Sequence, residues 1–139
     1  MAKRILVVED EPRVLEVIKK RLEVAGHHVI TAVDGAEGFE LAKSENPDLI
    51  VLDLMLPKKD GYDVCWELKH DPRYEPIPIL MLTARTQDSE IERGMKSGAD
   101  GYMIKPFDGK VLVDRVAELL QRVDEESTIE KGEKEDGYL

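Results

Sequence analysis

Five side chains with chemical reach stand at matching places in the sequence. Glu9 and Asp10 follow the apolar run Ile5-Leu6-Val7-Val8, and Asp53 follows Leu49-Ile50-Val51-Leu52. Thr83 closes the run from Ile77, and Lys105 follows the run Gly101 to Ile104. Three carboxylates near one another repel strongly in a partly desolvated site. One ammonium leaves the group at a formal −2, which a divalent cation would cancel. The donors are hard oxygens without histidine or thiolate, which suits Mg²⁺ or Mn²⁺ better than zinc. A carboxylate is also a nucleophile toward phosphorus, giving an aspartyl phosphate. That chemistry depends chiefly on positioning and charge neutralisation. Taken singly, each residue has a plainer explanation. Glu9 to Glu11 could cap a helix from Pro12, Thr83 could be a turn residue, and Lys105 a surface lysine. Recurrence at the ends of successive apolar runs is what those explanations leave out.

The elements that would position these residues alternate in type. The apolar run from Ile5 to Val8 predicts a first strand. Val14, Ile18, Leu22 and Ala25 fall at helical spacing between Pro12 and Gly26, a suitable start and stop. His28 to Val33 reads as a second strand. Asp34-Gly35-Ala36-Glu37 has the form of a capping box, with Phe39, Leu41 and Ala42 behind it. Asp48 to Leu52 is a third strand, and Asp60-Gly61 opens a helix carrying Val64 and Leu68. Ile77 to Thr83 is a fourth strand, Asp88 begins a weak helix with Ile91, Gly94 and Met95, and Gly101 to Ile104 is a fifth strand. Asp108 caps a last helix bearing Leu112, Val116, Leu119, Leu120 and Val123. This alternation predicts an α/β domain with a parallel sheet between two helical layers. In such sheets ligands bind beyond the carboxyl ends of the strands, where the five side chains fall.

The chain resembles the receiver domain of two-component response regulators. The matching segments are Val8-Glu9-Asp10-Glu11, Asp53-Leu54-Met55-Leu56-Pro57 with Asp60-Gly61, Leu82-Thr83-Ala84, and Gly98-Ala99-Asp100-Gly101-Tyr102 with Lys105-Pro106-Phe107. The resemblance covers about residues 3 to 123. It implies a flavodoxin-like doubly wound (βα)5 fold with strand order 2-1-3-4-5. It implies that Asp53 accepts a phosphoryl group from a histidine kinase or a histidine phosphotransferase. Asp10, Asp53 and the backbone carbonyl of Met55 would hold Mg²⁺, or Mn²⁺, with Glu9 joined through water. Lys105 would pair with the phosphoryl oxygens. Thr83 and Tyr102 would be the switch residues, altering the face made by the fourth helix, fifth strand and fifth helix. Lys105-Pro106 would be a cis peptide. Met55 and Arg85 occupy positions that tune the phosphoryl lifetime in the family.

The remaining features bound these expectations. The 139 residues suit one domain, residues 1–123, followed by an acidic tail, 124–139, that extends the last helix or is disordered. That tail holds seven acids and two lysines, half of the formal net charge of −10. Such acidity argues against direct nucleic-acid binding. One cysteine, Cys65, excludes an internal disulfide and a multi-cysteine zinc site. No apolar stretch is long enough for a signal or a membrane span, so a cytoplasmic protein is expected. His27 and His28 read as loop residues, and Cys65 as a structural or half-exposed thiol. Lys19, Lys20 and Arg21 read as a solvated face or a docking face for the phosphodonor. Gly101 stands where winged-helix regulators often carry a second acid, which places their usual dimer in question. The expected protein is a phosphorylation-controlled switch, a monomer or a weak phosphorylation-dependent dimer, acting on an unknown output protein. It would not be an enzyme with a separate substrate. A receiver cut from a larger DNA-binding or enzymatic regulator is the alternative. A Mg²⁺-dependent phosphatase fits less well, because Met55 stands where such enzymes carry a second acid.

Overall fold

The structure, a computed structural model, describes residues 2–84 and 88–135. Ten elements alternate along the chain: β1 (Arg4–Val8), α1 (Pro12–Val24), β2 (His28–Ala32), α2 (Gly35–Glu45), β3 (Leu49–Asp53), α3 (Gly61–Lys69), β4 (Ile79–Ala84), α4 (Asp88–Lys96), β5 (Gly101–Lys105) and α5 (Gly109–Glu135). The strands form one five-stranded sheet in the order β2-β1-β3-β4-β5, all pairs parallel. This is the doubly wound order that the resemblance implies.

Strand alternation divides the core into two. Ile5 and Val7 of β1 pack with Ile18, Leu22, Leu112, Val116 and Leu119 of α1 and α5. Leu6 and Val8 point to the other side, with Ala42, Val64, Cys65 and Leu68 of α2 and α3. The central strands are buried on both faces, which is why they read as continuous apolar runs.

Local chemistry sets the helix ends. Asp34 accepts the Glu37 N–H at 2.8 Å, Asp60 accepts the Tyr62 N–H at 2.9 Å, and Asp108 accepts the Lys110 N–H at 2.8 Å. These are side-chain caps on the first turns of α2, α3 and α5. Glu11 at the start of α1 makes no such bond. The cap explanation therefore does not hold for Glu11. Some strand limits differ from the sequence reading. β3 includes Asp53, because Asp53 pairs in register with Leu82. β4 begins at Ile79, after Pro78, which has no N–H for a ladder.

Candidate functional site

Register brings the five side chains together. Val8 lies beside Leu52, and Leu52 beside Met81. Glu9 is therefore level with Asp53, one residue past the aligned row. Thr83 pairs with Ile104, and Ala84 with Lys105, so the hydroxyl and the ammonium reach the same sheet edge.

Lys105 Nζ lies 2.8 Å from Glu9 Oε1 and 3.0 Å from Asp53 Oδ2. Its ammonium thus bridges one carboxylate at the end of β3 and one directly after β1. The other oxygen of Asp53 accepts the Met55 N–H at 3.3 Å. Acidic oxygens of Glu9, Asp10 and Asp53 all lie within 4.8 Å of one another. Glu9 is 0% exposed and Asp53 5%, whereas Asp10 is open to solvent. The Lys105–Pro106 peptide is cis.

The electrostatics follow from this crowding. Burial pushes the Glu9 carboxyl up to about 8; a hydrogen bond with Asp53 adds to the rise and Lys105 opposes it. For Lys105, burial acts to lower the ammonium, but the Glu9 hydrogen bond and the charge of Asp53 outweigh it and the net direction is upward. Glu9 Oε2 is buried without a hydrogen-bond partner, and so is Thr83 Oγ1. A buried, orphaned carboxylate oxygen beside two further carboxylates fits a hard divalent cation.

The β3–α3 turn is packed tightly behind Asp53. The Gly61 N–H donates to the Leu54 carbonyl at 2.9 Å. A Cβ at Gly61 would collide with the Asp53 backbone carbonyl. Only glycine allows the two chain segments to approach so closely.

Other singled-out residues fall elsewhere. Tyr102 lies on β5 and is 39% exposed, so it does not share the pocket with Thr83, which is 0% exposed. Cys65 is fully buried, not half-exposed, because it lies on the sheet-facing side of α3 between Val64 and Leu68. Lys20 and Arg21 are exposed on α1. The ring nitrogen Nδ1 of His27 is buried without a partner, so loop polarity does not describe it fully. Arg85 lies outside the described residues. The sequence reading missed Arg93, whose Nη2 lies 2.8 Å from Asp60 Oδ2. It also missed Lys69, whose side chain is mostly buried and lies 2.6 Å from Asp100. These pairs span 33 and 31 residues and carry no spacing signal.

Residues 5–117 match the family described as the response regulator receiver domain. The DNA-binding dual master transcriptional regulator RpaA of Synechocystis is 49% identical over 121 residues, 87% of this chain and 50% of that protein. The alkaline phosphatase synthesis transcriptional regulatory protein PhoP of Bacillus subtilis is 46% identical over 122 residues, 88% of this chain and 50% of that protein. The chain thus spans about half the length of these curated relatives. Among solved structures, a CheY-like response regulator receiver domain protein from Methanospirillum hungatei superposes with a TM-score of 0.81 at 27% identity, covering 91% of this chain and 99% of that one. The chemotaxis response regulator CheY4 of Vibrio cholerae does so at 0.78 and 28% identity, covering 86% and 99%.

Proposed function

Because the chain belongs to the response regulator receiver domain family, we propose that Asp53 accepts a phosphoryl group from the phosphohistidine of a histidine kinase or a histidine phosphotransferase. The observation that carries this reading is Lys105 held between Glu9 and Asp53 at the carboxyl edge of the sheet. In the transfer, an Asp53 carboxylate oxygen forms a bond to phosphorus as the phosphorus–nitrogen bond of the donor imidazole breaks. The bonding pair leaves with the imidazole nitrogen. Lys105 orients Asp53 and stands ready to pair with phosphoryl oxygens. Thr83 offers a buried hydroxyl without a partner, suited to a new hydrogen bond at the edge of the site.

Asp10, Asp53 and the Met55 carbonyl would hold Mg²⁺ or Mn²⁺, with Glu9 reaching it through water. Such a cation, when bound, neutralises charge on the transferring group. Changes at Thr83 and Tyr102 would then alter the surface of α4, β5 and α5, and so the binding of an output protein. Turnover is limited to the protein's own phosphoryl group. None of the described helices is long and apolar enough to cross a membrane, which is in keeping with a cytoplasmic role.

A second reading places this receiver within a larger DNA-binding regulator. The lengths of the curated relatives favour it. Coding sequence continuing past Leu139 would distinguish it from a receiver that acts alone.

The test is incubation with Mg²⁺ and acetyl phosphate, read by intact mass and peptide mapping. One phosphoryl group is expected per chain, absent in Asp53→Asn, with weaker Mg²⁺ binding in Asp10→Asn. Phosphorylation that persists in Asp53→Asn overturns the assignment.

A further inference from the structure

We propose that Arg93 is a positioning residue that ties α4 to the turn behind Asp53, so that phosphoryl capture and the placement of α4 are coupled through it. This rests on the reading of Asp53 as the phosphoacceptor, and it adds a regulatory link which that reading does not require.

Asp60 divides its carboxylate between two helices. One oxygen accepts the Tyr62 N–H and caps α3. The other receives Arg93 Nη2 of α4 at 2.8 Å. The same guanidinium stands over the Tyr62 ring, 5.3 Å from its centroid. Gly61, the next residue, donates its N–H to Leu54 and lies against the Asp53 carbonyl. Two short steps therefore connect α4 to the acceptor: Arg93 to Asp60, then Gly61 to the backbone of Asp53 and Leu54.

The sequence of α4 makes this link matter. Among the described side chains of α4, Gly94 is buried and Ile91 half-buried, Ser97 directly beyond the helix is buried, and Met95 is 55% exposed. A Cβ at Gly94 would lie 3.0 Å from Thr83 Cγ2, so α4 rests closely on Thr83 with glycine as the clearance. An element with little apolar burial sits at the low end of local stability. A charge-assisted bond reinforced by a ring contact then adds to the packing on β4 that places the helix. An isolated surface pair contributes little. This one is only partly exposed on either side and joins the cap of one helix to the body of another.

The experiment binds beryllofluoride with Mg²⁺ to the full chain. Occupancy at Asp53 is followed by fluorine NMR, and α4 by amide hydrogen exchange over residues 88–96. In the wild type, the mimic binds one per chain and changes α4 exchange. Arg93→Met still binds one per chain, but the α4 response is at least halved. Asp60→Asn keeps an oxygen for the Tyr62 N–H while losing the charge, and reproduces that loss. The double variant is no worse than either single variant, as two ends of one link require. Arg93→Lys restores part of the response. An α4 response in Arg93→Met equal to that of the wild type overturns the link alone, as do additive losses in the double variant. A wild type that binds no mimic overturns the phosphoacceptor reading instead, and the link falls with it.

Discussion

At the scale of single residues, Lys105 and Cys65 show opposite uses of burial. Lys105 leaves the solvent and gains two carboxylates, so its charge is retained. Cys65 leaves the solvent chiefly for apolar neighbours, and burial pushes its thiol up to about 11 from an ordinary 9.0. The folded state therefore holds the thiol proton more firmly than the unfolded state does. Below pH 9 both states keep it and stability is unaffected. Between about 9 and 11 the unfolded chain ionises first, so stability falls as pH rises. Iodoacetamide labelling of Cys65 at pH 8 is expected to be at least about 100-fold slower in native protein than in denaturant. Comparable rates would show that the thiol is accessible. The acids at 9, 10 and 53 were legible in the sequence because each follows an apolar run. Arg93 was not, since its partner Asp60 lies on another helix and only the tertiary fold brings them together.

At the scale of elements, the helix–strand alternation was legible because parallel strands buried on both faces must be apolar throughout. The limits were less legible. Asp53 counts as strand because its backbone pairs beside Leu82, which its polar side chain conceals. Tight approaches between elements were visible only as isolated glycines. At Gly38 of α2, a Cβ would lie 2.7 Å from Val8 Cγ1, on the strand that delivers Glu9. Gly38→Ala is therefore expected to push α2 off β1 and to destabilise by about 1–3 kcal/mol, measured by urea unfolding. The helix-propensity gain of up to about 1 kcal/mol would prevail only if α2 could shift freely, and an unchanged or raised midpoint would show that it does.

At the scale of the whole molecule, the sheet is a partition between two cores. Leu22 belongs to the α1 and α5 side and Leu68 to the α2 and α3 side. Each change to Ala is expected to cost about 2–5 kcal/mol. Their losses should add within about 0.5 kcal/mol, because no side chain is shared across the partition. A larger interaction energy would mean that the sheet transmits strain from one layer to the other. The same partition bears on how the sequence can change length. A residue inserted within β3 would exchange its two faces, sending Val51 and Leu52 to the wrong layers and carrying Asp53 out of line with Glu9 and Lys105. A residue inserted in the surface connection 70–76 would leave strand parity intact. Insertions are thus expected to be tolerated in the connections and not in the strands, whose interiors are constrained in count as well as in kind.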